Sequence, residues 1–202
     1  MKNINKEEFN MLNERKLSTR TLVMGAVLTA LVAVLQFIGA SIKLGPFSIS
    51  LVLIPIVIGT ATCGWKIGAW LGLVFGGMVF ATHDADLFLA VNIPGTIITV
   101  LAKGVLCGLL SGLAFKGVYK LSKNTYVSTA VSAVVCPVVN TGVFLLGCLV
   151  FFMDTITEWA GGGNIGQYMI FGLVGANFLV ELGVNIIFSP IIVRIIKATE
   201  RN

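Results

Sequence analysis

Long apolar runs separated by short breaks dominate the pattern of this chain. The breaks are polar or contain Gly or Pro, and they fall at residues 45–46, 64–66, 81–94, 116–124 and 153–167. They separate six predicted helices, near residues 21–42, 48–63, 66–80, 95–119, 126–152 and 168–197. Several runs reach the roughly 20 residues that a helix needs to cross about 30 Å of hydrocarbon. The pattern therefore predicts an all-α polytopic membrane protein with six transmembrane helices.

The distribution of basic residues predicts the orientation of these helices. If both termini are cytoplasmic, all of the 14 Lys and Arg residues except Lys43 and Lys103 lie on the inner side. Short loops rich in Lys and Arg stay in the cytoplasm. We therefore expect a cytoplasmic tail at residues 1–20, a single six-helix transmembrane domain at 21–197 and a second cytoplasmic tail at 198–202.

Composition supports the membrane assignment. The 202 residues are 56% hydrophobic and 11% charged, against roughly 25% charged residues in soluble domains. The net charge of +5 follows from the cytoplasmic loops and needs no nucleic acid as an explanation. The cysteines lie in or beside apolar spans without Cys-x-x-Cys spacing, which predicts small buried side chains at Cys63, Cys107, Cys136 and Cys148.

Polar residues deep in the predicted spans are the strongest functional signal. Asn177, Glu181 and Asn185 recur at intervals of four and so share one helix face. Lys103 is the other ionisable residue deep in a span. A charge at the centre of a bilayer costs at least roughly 2.5 kcal/mol, so such a residue indicates function by default. Either Lys103 and Glu181 neutralise each other, or Lys103 faces a ligand carboxylate while both amides orient Glu181.

Three further polar side chains are weaker candidates. Asn140 follows Pro137 in the middle of the fifth span, where the proline frees a backbone carbonyl. Asn92 precedes the fourth helix and either caps it or contacts a ligand. Gln36, near the outer end of the first helix, either joins the same site or only reaches the interface.

Small residues at four-residue steps predict close helix packing. The third span carries Gly68, Gly72 and Gly76, the fourth carries another such row from Gly104, and the first carries Ala26 and Ala30. Packing inside the protein is the expectation for the glycine rows.

Sequence motifs give no support for catalysis. The chain contains no phosphate-binding loop, no Gly-x-Ser-x-Gly and no His-Glu-x-x-His. The loop sequence HDAD, residues 83–86, lacks a recognised set of metal ligands. We therefore expect no enzyme, no catalytic residue, no metal site and no cofactor in this chain.

The chain resembles the substrate-binding S components of energy-coupling factor (ECF) transporters. The resemblance rests on the six-span topology, the Ala-x-x-x-Ala patch after a basic tail, and the phrases LGPFSISLVLIPIVIGT, GAWLGLVFG and CPVVNTGVFLLG. It implies capture of a vitamin from outside and delivery to an ECF module, formed by a transmembrane T component and two ATPase subunits that use ATP. It also implies docking on the T component through Gly25, Ala26 and Ala30.

The same resemblance implies a ligand site in the outer half of the bundle. The matching positions are residues 45–48 together with Asn92, Lys103, Asn140, Asn177 and Glu181. The expected location is a bacterial cell membrane.

The substrate expectation is pantothenate. The chain lacks the Met-His amino terminus of nickel and cobalt S components, and Lys103 with several amides suits a small hydroxylated carboxylate. Riboflavin or another solute is the alternative, and a planar ring would need an aromatic platform such as Phe47, Phe88 or Trp159. Two other classes stay open at this point: a proton-coupled transporter that uses Glu181 as a relay, and a purely structural membrane subunit.

Overall fold

The computed structural model describes residues 19–44 and 47–201. Its elements, in chain order, are α1 (Thr19–Ala40), β1 (Lys43–Leu44), β2 (Phe47–Ser48), α2 (Leu53–Cys63), α3 (Trp65–Ala81), α4 (Asp86–Leu89), α5 (Ile93–Ser122), α6 (Thr125–Phe151), α7 (Met153–Trp159), α8 (Ile165–Gln167), a π-helical segment (Tyr168–Gly175) and α9 (Ala176–Arg201). Residues 1–18 of the predicted tail lie outside the described residues. Gly45 and Pro46 of the predicted ligand region also lie outside them.

Among the described residues, four helical segments are long and apolar enough to cross a membrane: α1, α5, α6 and the run from Ile165 to Lys197. The predicted spans at 48–63 and 66–80 correspond to α2 and α3, which have 11 and 17 residues. Both are shorter than the roughly 20 residues of a full crossing. The helical class is confirmed, while the six-span count and the orientation of the termini remain predictions.

The segment before α2 differs from the predicted helix. Residues 48–52 form the end of a small hairpin and a turn, in which β1 and β2 pair antiparallel with Lys43 opposite Ser48. The short helices α4 and α7 also lie in regions that the sequence pattern left as loops. The hairpin, the turn and the loop with α4 contribute Ser48, Ser50 and Asp84 to the lining of a polar cavity, and Trp159 of α7 contacts Phe88 of α4.

Helix α2 is enclosed by the bundle. Leu53, Ile56 and Val57 are completely buried, and Thr60 is 2% exposed. A helix that is apolar on every side must be covered on every side. Its neighbours are α1, α3, α5, α6 and α9, so α2 forms the centre of the core.

The glycine rows of α3 and α5 pack directly against each other. A Cβ atom on Gly72 would overlap the carbonyl oxygen of Gly104, and a Cβ atom on Gly104 would overlap that of Gly72. Gly68 and Gly108 show the same reciprocal contact. Without side chains the two backbones touch, which gives dispersion contacts where lipid offers no hydrophobic driving force. The predicted packing role of these glycines is confirmed.

The outward faces of the long helices are apolar. Val150, Phe171 and Ile187 are each at least 70% exposed. In water such surfaces would be unfavourable, whereas in hydrocarbon they cost nothing. The polar side chains of α9 point the other way, since Asn177, Glu181 and Asn185 are all at least 93% buried.

Candidate functional site

A cavity with a polar wall lies inside one end of the bundle. It is bounded by α1, the turn after β2, α3, the loop with α4, α5, α6, the π-helical segment and α9. Four of the five residues predicted for substrate binding line it: Lys103, Asn140, Asn177 and Glu181. The other polar residues of its wall are Gln36, Ser48, Ser50, Asp84, Thr96, Thr99 and Thr141.

Glu181 is held in place by the turn after β2. Its side chain is 5% exposed, and Oε1 accepts a hydrogen bond of 3.1 Å from the backbone N–H of Ser50. A buried carboxylate needs such donors, because burial of an unpaired charge is very unfavourable. The acceptor on α9 therefore fixes the segment that covers the cavity.

Asn185 contacts Glu181, as predicted, but through the main chain. Its Nδ2 donates to the main-chain carbonyl of Glu181, 2.9 Å away, and it does not line the cavity. The four-residue spacing places it under Glu181, where it bonds to the backbone of its own helix. On α9 the polar side chains of the cavity wall are therefore Asn177 and Glu181, with Asn185 one turn beyond them.

Lys103 lies between two aromatic rings. Its Nζ is 5.5 Å from the ring centroid of Phe75 and 5.5 Å from that of Phe144. Cation–π attraction of this kind stabilises a desolvated ammonium by about 0.5–2 kcal/mol. Among the residues that the structure describes, Lys103 and Glu181 line one cavity but form no ion pair within 4.0 Å.

Several buried amide and hydroxyl oxygens around the cavity have no partner. Asn140 Oδ1 and Asn177 Oδ1 lack a hydrogen-bond donor, as does Thr99 Oγ1, although these residues are 4%, 7% and 4% exposed. A buried acceptor without a donor costs about 1–3 kcal/mol. The described protein supplies no donor, so these oxygens are placed to accept from something inside the cavity.

Irregular helix geometry places these amides. Pro137 lies inside α6, one turn before Asn140, and the π-helical segment ends immediately before α9 and Asn177. Proline removes a backbone hydrogen bond, and π-helical turns are frequent at functional sites. Hydropathy does not reveal a π-helical turn. When every residue of a short run is apolar, the sequence shows no period that would distinguish a π-helix from an α-helix.

Asp84 is a member of the site that the sequence did not indicate. Its Oδ2 accepts hydrogen bonds from Ser48 Oγ at 2.6 Å and from Gln36 Nε2 at 2.8 Å. His83 adopts a positive φ of 59°, which turns the loop so that Asp84 points inward. Asp86 instead forms an exposed pair with His83, with 3.0 Å between Oδ2 and Nδ1. In the HDAD loop, Asp84 and Ala85 thus line the cavity, while His83 and Asp86 face outward.

An aromatic cluster around Phe88 forms another part of the wall. The ring of Phe88 lies 5.6 Å from Phe144, 4.8 Å from Phe152 and 5.7 Å from Trp159, with interplanar angles of 89°, 78° and 70°. All three contacts are edge to face, the arrangement that aromatic pairs prefer. The side chain of Phe47, the remaining predicted aromatic candidate, lies outside the described residues.

Asn92 is a helix cap. Its side-chain Oδ1 accepts from the backbone N–H of Gly95 at 3.0 Å, and it does not line the cavity. Of the two alternatives that the sequence left open for Asn92, the structure shows capping. Gln36, by contrast, is 2% exposed and lines the cavity, so the interpretation that it reaches the interface is wrong.

The predicted docking residues lie on two faces of α1. Ala26 and Ala30 are exposed, next to the exposed side chains of Val23 and Val27. Gly25 is buried, and a Cβ atom there would contact Ile67 at 3.6 Å. The exposed small-residue patch is therefore formed by Ala26 and Ala30, while Gly25 packs inside the bundle.

Comparison with known proteins gives one family and one relative. A family model described as "ECF transporter, substrate-specific component" matches residues 20–195. A protein of Lactococcus lactis subsp. cremoris (strain MG1363), named pantothenic acid transporter PanT, is 26% identical over 194 residues, which cover 88% of this chain and 93% of the relative. No solved structure matches the chain.

Proposed function

The chain belongs to the substrate-specific components of ECF transporters, and from this premise we propose that it binds pantothenate in its polar cavity and delivers it to an ECF module for import. The family is a class of transporter subunits rather than of enzymes, and membership implies association with an ECF module and a small-molecule substrate. Together with the four described helical segments that are long and apolar enough to cross a membrane, it supports a multi-pass membrane protein.

The observation that carries the pantothenate proposal is the separation of charges in one cavity. Lys103 supplies a cation that forms no ion pair within 4.0 Å among the described residues, and Glu181 supplies a buried acceptor. A ligand with a carboxylate at one end and hydrogen-bond donors at the other satisfies both. Pantothenate has one carboxylate, two hydroxyl groups and an amide N–H, which is this pattern.

The carboxylate of the ligand would bind at Lys103. The ammonium sits between Phe75 and Phe144, whose rings stabilise it without supplying the full negative charge of an ion-pair partner. A charged hydrogen bond to a ligand carboxylate contributes about 1.5–3 kcal/mol.

The hydroxyl and amide groups of the ligand would bind at the unpartnered acceptors. Asn140 Oδ1 and Asn177 Oδ1 are both buried and both lack donors. A few such polar groups in a mainly apolar pocket fix the orientation of a small ligand. The lactococcal relative that carries the name of a pantothenic acid transporter supports the same substrate.

The aromatic side chains favour this ligand over riboflavin. A planar ring needs the open face of an aromatic residue. The rings around Phe88 contact each other edge to face, and Lys103 lies over Phe75 and Phe144. These contacts occupy the rings within the protein instead of leaving a slot for a flavin.

The proposed transport arrangement follows from family membership and the charge pattern. Six crossings with both termini in the cytoplasm of a bacterial cell place the cavity at the outer side. Ala26 and Ala30 on α1 would dock on the T component of the ECF module. ATP would be used by the partner ATPase subunits, and this chain would need no cofactor of its own.

Native mass spectrometry of the purified protein tests this proposal. The protein is released gently from detergent after expression in rich medium, and the mass of any copurified small molecule is measured. We expect the mass of pantothenate, together with tight binding of added pantothenate. The mass of another vitamin would contradict the proposal that pantothenate is the substrate. If the protein bound no vitamin of a test panel and uptake depended on a proton gradient, the S-component function would be contradicted. Glu181 as a proton relay would then be favoured.

A further inference from the structure

The group of side chains around Asp84 points to a second part of the binding site. Asp84 lies in the loop before α4, Gln36 is on α1, and Ser48 ends β2. These three residues come from separate parts of the chain, yet Oδ2 of Asp84 joins them at 2.6 Å and 2.8 Å. All three line the cavity, and neither the family match nor the named relative assigns them a role.

The orientation of the Gln36 amide follows from its partner. A carboxylate only accepts hydrogen bonds, so the NH₂ group of Gln36 has to face Asp84. The carbonyl oxygen then points elsewhere. Oε1 of Gln36 is buried without a donor, although the side chain is only 2% exposed. A buried acceptor of this kind requires a hydrogen-bond donor inside the cavity.

The same carboxylate holds the segment that covers the cavity. Ser48 donates to Asp84, and two residues later Ser50 donates its backbone N–H to Glu181. The turn at 48–50 is therefore attached at two points, to the loop before α4 and to α9. Hydrogen bonds to charged groups are the strong ones, so loss of either attachment should loosen the turn.

We propose that Asp84 is a positioning residue of the substrate site: it attaches Ser48 over the cavity and turns Gln36 so that Oε1 accepts a hydrogen bond from a hydroxyl or amide N–H of the ligand. This inference rests on the proposed function for its ligand. It deepens that function by assigning the donor end of the substrate to the Gln36 side of the cavity.

The first test uses the ligand-free protein and is independent of the substrate. Hydrogen–deuterium exchange of a peptide covering residues 48–52 is compared between the wild type and Asp84→Asn. We expect about tenfold faster exchange or more in the variant, because a charged hydrogen bond is weakened. Asp86→Asn, which changes the exposed carboxylate two positions on, is the control and should exchange like the wild type. Equal exchange rates of this peptide in Asp84→Asn and the wild type would show that Asp84 does not hold Ser48 in place.

The second test measures binding of pantothenate and of an analogue that lacks its hydroxyl groups. Gln36→Leu should weaken pantothenate binding about two- to tenfold and leave binding of the analogue unchanged. Asp84→Asn should show the same selective loss to a smaller extent, because the Gln36 amide, which also donates to Thr82 Oγ1 at 3.3 Å, loses its bond to a charged acceptor. Equal weakening for both ligands would overturn the acceptor role of Gln36. A wild-type protein that binds neither ligand would contradict the proposed function, and the exchange experiment would still decide the role of Asp84.

Ser48→Ala separates the two roles of Asp84. Removal of the hydroxyl takes away the attachment of the turn to Asp84, while the bond of Ser50 to Glu181 and that of Gln36 to Asp84 remain. We expect faster exchange at residues 48–52 and unchanged selectivity between pantothenate and its analogue. A loss of selectivity in Ser48→Ala would contradict the assignment of ligand recognition to Gln36.

Discussion

Oε1 of Glu181 and the backbone nitrogen of Ser50 are 3.1 Å apart, although the residues are separated by 131 positions in the chain. This bond connects the polar wall on α9 to the turn that lies over the cavity. Oε1 of Glu181 thus holds the turn, and the Glu181 side chain also lines the cavity. If Glu181 binds the ligand as proposed, one carboxylate would serve both the ligand and the attachment of the turn.

Glu181→Gln is expected to weaken pantothenate binding about tenfold, since a neutral amide accepts weaker hydrogen bonds than a carboxylate. Isothermal titration of the purified protein measures the effect. Asn185→Leu on the same helix is the comparison variant. It should weaken binding less, because Asn185 bonds to the backbone of Glu181 and does not line the cavity. Unchanged affinity in Glu181→Gln would remove Glu181 from the ligand site.

Lys103→Met should weaken pantothenate binding by about 1.5–3 kcal/mol, the range for a charged hydrogen bond. Binding of the corresponding alcohol, which lacks the carboxylate, should change little, and the protein should remain folded. Lys116→Met is the control, because Lys116 lies exposed on the same helix and outside the cavity. Equal losses for the acid and the alcohol would show that Lys103 does not bind the carboxylate.

The periodicity of polar residues predicted much of the site. Asn177 and Glu181 repeat on one helix face, and Lys103 and Asn140 interrupt apolar runs, so each carries a local signal. All four line the cavity. Their locations agree with the predictions, while their contacts with substrate remain proposals.

Asp84 could not be predicted in the same way. In the sequence it differs little from Asp86, and only the turn at His83 and the approach of Gln36 and Ser48 distinguish the two. Loop carboxylates are usually solvated. The π-helical segment was equally hidden, because its residues are uniformly apolar. Residues whose role depends on distant partners carry little local signal.

Gly72→Ala should destabilise the folded protein by about 1–3 kcal/mol, the typical cost of overpacking. The added methyl group would overlap the carbonyl oxygen of Gly104, and backbone cannot move aside like a flexible side chain. Thermal unfolding in detergent measures the loss. Gly77→Ala on the same helix is the matched control, because a Cβ atom there has no heavy atom within 4 Å. Similar melting temperatures for the two variants would contradict the backbone contact between α3 and α5.

Ala26→Trp should abolish pantothenate uptake while leaving binding intact. Ala26 is exposed on α1 and lies apart from the cavity, so a large ring there changes only the outer surface. A flat patch of small residues lets two helices approach closely, and a tryptophan keeps them apart. If α1 docks on the T component through this patch, the isolated protein still captures its substrate but cannot pass it on.

Two measurements on the same variants check this separation of binding from transport. Uptake of labelled pantothenate is measured in cells that contain the ECF module, and affinity is measured with the purified protein. Leu31→Trp is the control, because Leu31 is a large side chain with 39% exposure near the edge of the exposed face of α1, and it should transport normally. Equal loss of binding and uptake in Ala26→Trp would place the damage in the fold of the bundle. Normal uptake would show that the ECF module docks elsewhere, since a ring as large as tryptophan could not be accommodated in a close helix contact.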